Sequence, residues 1–384
     1  MKRILSMVLA CLLCMGLLSC GENRDSTASA DMLSERGAGV EAETELSEDT
    51  QAFIGSDMQN TFIMNEEASE SQASDEEEVV YLTMATTGNW EGLLRGQLME
   101  EYSKKLYEWS NGTMVLTTYY DGVLGTDLEM TTAAQEGTLC IVNSVPSYQT
   151  EAVPEAALLD VPGLFNSIEE YNSFIKDKYM DTLQSYYQKA GLRLLSSSAY
   201  AFRVMTANRP LDSLEDIQGL KMRTMENRYQ IAFWQSMGAI VSPLYWQQVR
   251  TAMQQDLIEA QENPLGYMFS SNLSDVQDHI LLTNHMPMIA NYIMNEEQFQ
   301  ALTEEQQELL VRMFDEMGEE LAAGQPAEDV EMAQKLTQQG YTISEPGEDI
   351  REAMQASSEV VLGMLREDLG EAVVDDFLEK LGRE

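Results

Sequence analysis

The chain has 384 residues, and its 65 acidic against 23 basic residues give a formal net charge of −42 at pH 7. Such a chain has no basic patch to replace the counterions of a phosphate backbone, which excludes nucleic acid as a partner. His279 and His285 stand in no metal-spaced cluster, and no Gly-x-Ser-x-Gly, Walker or Cys-x-x-Cys motif occurs. We therefore expect no enzyme, no cofactor and no metal, and we interpret His285 as a structural residue.

The N-terminus has the pattern of an export signal. Three residues, Met-Lys-Arg, supply a positive start, and the apolar stretch 4–19 is too short for a stable membrane anchor. Leu-Leu-Ser-Cys at 17–20 resembles a bacterial lipobox. We predict a lipoprotein signal peptide at 1–19 and diacylglycerol attachment at Cys20, since two acyl chains suffice for stable anchoring. An ordinary secretory signal that contains a cysteine is the alternative.

The segment 20–78 is predicted to be an acidic, disordered tether. It is rich in Glu, Asp, Ser, Ala and Thr and poor in aromatic residues, so it cannot bury enough apolar surface to offset its ordering entropy. A flexible chain of this length spans about 40 Å. Cys11 and Cys14 leave with the leader, so Cys140 is the one cysteine of the domain predicted at 79–384, and no disulfide is expected.

The domain alternates predicted strands and helices, which favours an α/β fold with parallel-rich sheets. In its first half we predict strands at 79–84, 113–119, 139–142 and 191–196 and helices at 89–108, 127–135 and 168–189, with Asn89 as a helix cap. In its second half we predict strands at 202–206, around 222 and at 240–241, and helices at 228–237, 246–255, 303–340 and 349–381. Gly324 and Pro326 are expected to bend or break the helix 303–340.

Three short motifs are suited to gripping an anion. They are Gly-Leu-Lys-Met-Arg at 219–223, Pro-Leu-Tyr-Trp at 243–246 and Gln-Glu-Asn-Pro at 261–264. Arg223 follows a short predicted strand, and ligands of open α/β sheets bind at strand ends. Its guanidinium offers two parallel N–H donors to a carboxylate. Because charges are screened over about 8 Å, a contacting arginine can attract an anion despite the acidic chain.

A longer series of motifs resembles the solute-binding proteins of tripartite ATP-independent periplasmic (TRAP) transporters, the DctP-type family. The likeness covers roughly residues 79–345. It includes Phe-Arg-Val-Met-Thr-Ala-Asn-Arg-Pro at 202–210, Asp-Ile-Gln-Gly-Leu-Lys-Met-Arg at 216–223, Pro-Leu-Tyr-Trp-Gln-Gln-Val at 243–249, Gln-Glu-Asn-Pro at 261–264 and Thr-Asn-His at 283–285. The resemblance implies a two-lobed periplasmic-binding-protein-like fold with crossing strands and a long helix spanning both lobes. We place one lobe near 79–199 and 290–328, and the other near 200–289 and 329–384.

The resemblance also implies a carboxylate site. Arg223 is its main clamp, and Asn263 reaches the far end of the carboxylate. Arg203 touches another ligand oxygen, or alternatively forms an inter-strand ion pair. Trp246 supplies a flat wall and an N–H donor, or is a core tryptophan.

Three further residues are weaker members of the implied site. Asn89 and Trp90 fall in the first strand-to-helix loop, where a helix N-terminus favours anions. Glu226 selects hydroxyl-bearing or amine-bearing substrates, or is a solvated carboxylate. Asp256 and Ala260 stand where the family commonly has glycine, which bears on the local turn geometry and on the aim of Asn263. Cys140 stands where aspartate is common in the family.

The implied function is capture of an organic acid, such as a C4-dicarboxylate or a sugar acid, and its delivery to TRAP membrane subunits. Such a protein would be a monomer, exported and lipid-anchored at the outer face of the bacterial cytoplasmic membrane. The alternatives are a ligand-binding sensor and the binding protein of an ATP-driven importer.

Overall fold

The computed structural model describes residues 79–271 and 273–383. The predicted signal peptide, Cys20 and the tether lie outside the described residues. Nine strands form one sheet: β1 Val80–Ala85, β2 Met114–Tyr119, β3 Ile141–Ser144, β4 Leu192–Ala207, β5 Lys221–Thr224, β6 Ile240–Pro243, β7 Ala260–Asn263, β8 His279–Asn295 and β9 Thr342–Ser344.

The sheet is mixed, and two long antiparallel strands run through its middle. The strand order is β2-β1-β3-β8-β4-β7-β5-β6, and β9 pairs with β8. The outer groups are parallel, β1 with β2 and β3 on one side and β5 with β6 and β7 on the other. The centre is antiparallel, where β4 pairs with β8 and with β7, and β8 pairs with β3. This arrangement confirms the α/β class with crossing strands.

The prediction of two separate strands at 191–196 and 202–206 is wrong, because β4 is continuous over 16 residues. Ser197 and Ser198 lie between the two predicted strands, and they are buried in β4 together with Ser196. The hydroxyl of Ser197 hydrogen-bonds to the Tyr171 hydroxyl at 2.7 Å. A satisfied hydroxyl costs little when buried, so Ser197 is compatible with a buried strand.

Twelve α-helices cover the sheet within the described residues. They are α1 Leu94–Trp109, α2 Asp127–Gln135, α3 Ile168–Phe174, α4 Met180–Lys189, α5 Leu214–Ile217, α6 Arg228–Ser236, α7 Trp246–Gln254, α8 Leu265–Ser270, α9 Glu296–Ala301, α10 Glu304–Gln338, α11 Glu348–Leu369 and α12 Glu371–Leu381. Short 3-10 helices also occur in the proline-rich connection, at Pro146–Tyr148 and Pro154–Asp160. The helices cover the faces of the sheet, so the ends of its strands remain available to form a site.

The N-terminal ends of α1 and α2 show which local signals are reliable. α2 begins and ends at the predicted residues, because Thr126 and Glu129 form a capping box at its start. α1 instead begins at Leu94 with Leu93 in the cap position, so the prediction of Asn89 as the cap is wrong. The Asn89 side chain accepts the backbone N–H of Glu91 in a local turn before the helix.

The 35-residue helix α10 continues through Gly324 and Pro326, so of the predicted bend or break the break does not occur. A side chain at Gly324 would have its Cβ only 2.5 Å from Leu94 Cδ2. The glycine therefore permits close packing of α10 against α1. Pro326 lies inside the helix, so its missing N–H is tolerated there. The helix has the length of about 50 Å expected at 1.5 Å per residue.

The last two helices contact different parts of the chain. α11 packs against α6, whereas the ring of Phe377 on α12 meets Phe174 and Tyr179 edge-on at centroid distances of 5.2 and 5.0 Å. A single π-helical turn, Ile175–Tyr179, separates α3 from α4, and across it Phe174 and Tyr179 stack at 5.2 Å. Gly370, with φ of 90°, separates α11 from α12, so the predicted helix 349–381 is two helices. The predicted lobe boundaries stay a prediction.

Two further features bear on the predictions. Cys140 is a buried free thiol, and burial raises its pKa to about 12. In the part of the chain that the structure describes, no helix combines the length and the apolar character needed to cross a bilayer.

Candidate ligand-binding site

A cavity with an empty volume of about 470 Å³ lies where several strand ends meet. Its charged lining residues are Arg95, Asp127, Arg203 and Arg223. Its uncharged polar lining residues are Thr86, Thr87, Asn143, Ser144 and Asn263. Its aromatic and apolar walls are Val145, Tyr148, Met225, Trp246, Tyr267, Met288 and Ile289. A concave site in which polar groups converge beside apolar walls is the usual form of a small-molecule site, and here the polar and charged residues outnumber the apolar ones.

Arg223 is buried in β5 and held by the second motif. Its Nε and Nη2 both donate to the backbone carbonyl of Leu244, at 2.9 and 2.5 Å. That carbonyl occupies one edge of the guanidinium. Among the described residues Nη1 has no hydrogen-bond partner, so the Nη1–Nη2 edge can receive a carboxylate with two parallel bonds. The Pro-Leu-Tyr-Trp motif thus fixes the arginine.

Trp246 and Asn263 line the same cavity from neighbouring elements. Trp246 opens α7 and is half-buried, with its ring centroid 5.8 Å from Arg223 Cζ and 6.1 Å from the Tyr267 ring. Asn263 ends β7 and is buried, and its Nδ2 donates to Gln261 Oε1 at 3.1 Å. That contact leaves the Asn263 carbonyl oxygen and one N–H for a ligand. The structure brings both predicted residues to Arg223.

Arg203 lines the cavity and also forms an inter-strand ion pair, the alternative left open by its sequence. Its guanidinium meets the Glu262 carboxylate through Nε and, at 2.9 Å, through Nη2, and both side chains are buried. His285 Nε2 lies 3.3 Å from the same carboxylate, and His285 Nδ1 shares a hydrogen bond of 2.9 Å with the Thr283 hydroxyl. Burial favours a raised pKa for Glu262, but Arg203 and His285 lower it to about 2. The Arg203 charge is therefore neutralised within the protein.

Arg95 is a cavity residue that sequence reasoning missed. It lies in the first turn of α1 and is 4% exposed, and its guanidinium stacks 4.0 Å from the Trp90 ring centroid. Its hydrogen-bond partners are neutral: Tyr200 Oη at 3.0 Å, Asn143 Oδ1 at 2.7 Å and Tyr292 Oη at 3.4 Å. Among the described residues no carboxylate lies within ion-pair distance of it. A signal existed, because Arg95 occupies the apolar face formed by Leu98, Met99 and Tyr102.

Asp127, the first residue of α2, is the second missed cavity residue. It is 8% exposed and accepts a hydrogen bond of 2.8 Å from the Thr87 hydroxyl. Burial raises its pKa to about 6, while the Thr87 bond and the Arg223 charge oppose the rise. No arginine, lysine or histidine in the described chain forms an ion pair with it. The carboxyl group can therefore change its charge near neutral pH.

The three weaker predicted residues do not line the cavity. Trp90 is buried behind Arg95, with its ring also edge-on to Tyr120 at 5.3 Å. Asn89 is occupied in the turn before α1. Glu226 is exposed; partial burial raises its pKa, and Tyr245 and Arg223 oppose this. Trp90 thus positions Arg95 by stacking.

The two unusual residues before Asn263 are accommodated locally. Asp256 has φ of +55°, the left-handed conformation that favours glycine and that aspartate tolerates better than most residues. Ala260 opens β7 and is fully buried, paired with Ala207 in β4 and Met222 in β5. Both substitutions therefore keep β7 in place, and Asn263 stays at the cavity.

Comparison with known proteins matches one family over most of the domain. The profile of the bacterial extracellular solute-binding protein family 7, DctP, matches residues 91–368. A solute-binding protein of Verminephrobacter eiseniae is 30% identical over 218 residues, which are 56% of this chain and 65% of the relative. The 2,3-diketo-L-gulonate-binding periplasmic protein YiaO of Escherichia coli is 28% identical over 220 residues, 57% of this chain and 67% of the relative. The chain thus spans about two thirds of the length of these relatives.

Solved structures share the fold. A TRAP periplasmic solute-binding protein from Desulfovibrio salexigens, with bound orotic acid, superposes with a TM-score of 0.75 at 18% identity. The match covers 79% of this chain and 98% of that one. At this identity the likeness concerns the fold, which is the two-lobed periplasmic-binding fold.

Proposed function

Since the chain belongs to the bacterial extracellular solute-binding proteins of family 7, the solute-binding proteins of TRAP transporters, we propose that its cavity captures an organic acid for delivery to TRAP membrane subunits. The observation that carries the proposal is the free edge of Arg223. This buried guanidinium is fixed by the Leu244 carbonyl and lines the cavity with its remaining donors unused.

The relatives support an acid as the ligand. YiaO is named for 2,3-diketo-L-gulonate, and the Desulfovibrio protein contains orotic acid. Both are carboxylic acids that an arginine can bind with two parallel hydrogen bonds. Asn263 and Trp246, beside Arg223, supply an amide for polar groups and a flat wall for the carbon skeleton. A sugar acid and a small dicarboxylate both fit this chemistry.

Binding is coupled to closure in this proposal. Arg223, Trp246 and Asn263 lie between the two central strands in the chain, whereas Arg95, Asp127 and Asn143 precede both of them. A ligand that contacts both sets stabilises their approach, because only contacts made in the closed state favour it. The closed form would then dock on the membrane subunits.

The export pattern completes the proposal. We place the protein at the outer face of the bacterial cytoplasmic membrane, anchored through lipid on Cys20; the support is the leader and the Leu-Leu-Ser-Cys motif at 17–20. Cys20→Ser should move the protein from the membrane fraction to the soluble fraction. A variant that still fractionates with membranes would contradict the anchor.

Arg223→Ala tests the site. Its removal should weaken binding of the captured acid by about 2–5 kcal/mol, because the carboxylate is left buried without its partner. A thermal-shift screen of carboxylic acids finds the ligand, since saturation at 100 times the dissociation constant stabilises by about 2.7 kcal/mol. Calorimetry then compares the variants.

Arg312→Ala is the matched control, because it removes the same charge from an exposed pair with Glu316 on α10. It should bind as the wild type does. Unchanged affinity in Arg223→Ala, with an intact fold, would refute the assignment of Arg223. Absence of binding to any carboxylic acid would refute the proposed function itself.

A further inference from the structure

Three arginines line the cavity, and Arg95 differs from the other two in how its charge is handled. Arg203 is equally buried, but Glu262 neutralises it with two hydrogen bonds. Arg223 has the Leu244 carbonyl and is the charge that acts on Asp127. Arg95 is surrounded by two tyrosine hydroxyls and an asparagine oxygen, none of which carries a negative charge at neutral pH.

The donors of Arg95 are only partly used. A guanidinium has five N–H groups, and the described residues accept three hydrogen bonds from Arg95. Its Nε is buried and has no partner. The three bonds fix the orientation of the side chain, and Arg95 lines the cavity with two of its N–H groups unused. The position of the guanidinium depends on Asn143 in β3 and on Tyr200 in β4.

Packing alone does not account for the arginine. Stacking on Trp90 and Tyr200 favours a cation, with Arg95 Cζ 4.0 and 4.8 Å from the two ring centroids. A buried charge without a counterion nevertheless costs more than such contacts return, and native proteins keep it where a ligand supplies the opposite charge. The cavity that Arg95 lines is the place from which that charge can come.

We propose that Arg95 forms a second anion subsite, so that the ligand of this protein carries two acidic groups, one bound by Arg223 and one by Arg95. The inference rests on the proposed function, since it assumes that an acid occupies the cavity. It narrows the ligand to organic dianions, whose second acidic group is a carboxylate or a phosphate. Asp127 interacts electrostatically with Arg223 and not with Arg95, so it does not compensate the charge of Arg95.

Matched pairs of probes test the subsite in the full-length chain. Each pair differs by one acidic group: succinate with succinamate, galactarate with galactonate, and 3-phosphoglycerate with glycerate. The first two pairs report a carboxylate, and the third reports a phosphate. Calorimetry of the wild type should give at least one pair in which the member with two acidic groups binds about tenfold or more tightly, the factor of one charge-assisted hydrogen bond.

Two variants assign that preference to Arg95. Arg95→Gln keeps a hydrogen-bonding side chain without the charge, and it should bring the two members of the responding pair to within about twofold of each other. Arg95→Lys keeps the charge without the planar fork and should retain the preference with a smaller ratio. Thermal unfolding without ligand checks that both variants are folded, and Arg95→Lys provides the test if Arg95→Gln does not fold.

The outcomes separate the two proposals. Equal binding within every pair, or the same loss for both members in Arg95→Gln, overturns the second subsite while Arg223-dependent binding of monoanions upholds the proposed function. If no acid of either charge binds the wild type, the proposed function fails and the subsite fails with it.

Discussion

Two sides of the cavity handle buried charge in opposite ways. On the side of β4 and β7, Arg203, Glu262 and His285 neutralise one another within the protein. On the side of the first two helices, Arg95 has neutral partners and Asp127 has a threonine hydroxyl. Burial alone therefore does not show what a charged residue does, and its partners do. The first side joins neighbouring strands through its ion pair, and we propose that a ligand completes the second side.

The acidity of the chain sharpens this contrast. With a net charge of −42, the protein repels anions at long range, and attraction must come from contacts within a screening length of about 8 Å. A cation already neutralised, such as Arg203, contributes little to such attraction. Arg223 and Arg95 are the residues through which an anion can gain binding energy.

The largest expected effect comes from breaking the balanced side. Glu262→Gln keeps the size of the side chain but leaves Arg203 and His285 buried without a carboxylate. The free energy of unfolding should fall by about 3–5 kcal/mol, the range for losing one partner of a buried ion pair. Urea unfolding at pH 7 measures the change.

A surface variant and the pH dependence control this prediction. Glu319→Gln breaks an exposed pair with Lys176 and should cost no more than about 1 kcal/mol. The pKa of Glu262 is lowered from 4.5 to about 2, so its stabilisation is present above pH 4.5 and is lost as the pH falls through about 2. A loss below about 1 kcal/mol at pH 7 in Glu262→Gln would mean that the pair is not what holds this side together.

A smaller effect is expected from Asp127 on the other side. Its pKa is raised to about 6, so the group is largely neutral at pH 5 and ionised at pH 7.5. An ionised Asp127 repels an anionic ligand, and affinity should therefore fall by about 1 kcal/mol as the pH rises across this window. Calorimetry with an acid that stays ionised throughout, such as galactonate or orotate, measures the slope.

Asp127→Asn is the control, because its amide cannot titrate. It should abolish the pH dependence of the affinity, while Glu262, ionised over the whole window, contributes none. An equal slope in the wild type and in Asp127→Asn would assign the dependence to another group. An affinity that rises with pH in the wild type would contradict the proposed sign.

The sequence predicted elements where the determinants are local. The start of α2 is set by the local capping box of Thr126. Arg223 was predicted from a short apolar stretch, and it lies in the short strand β5. Where long-range contacts matter, the predictions were wrong, as for two separate strands in place of β4 and a break in α10. The hydroxyl of Ser197, in the middle of β4, has its partner Tyr171 on α3, and Gly324 allows α10 to pack closely against α1.

The site was predicted in part for the same reason. Arg223, Arg203, Trp246 and Asn263 could be named from motifs, and all four line the cavity. Whether Arg203 binds the ligand or forms an ion pair depends on Glu262, which is 59 residues away in the chain. Sequence spacing does not reveal such a contact. Arg95 was visible only as a charge on an apolar helix face. Its meaning required the identity of its partners from three other strands.

The π-helical turn at Ile175–Tyr179 has a consequence for the whole C-terminus. In an α-helix, residues five apart point about 140° away from each other, since each residue turns the chain by 100°. The wider turn brings Phe174 and Tyr179 onto one face, and Phe377 is seated against both rings. This single turn changes the direction in which the side chains after it point. Loss of one residue from it would rotate α4 and remove the surface against which α12, about 200 residues later in the sequence, packs.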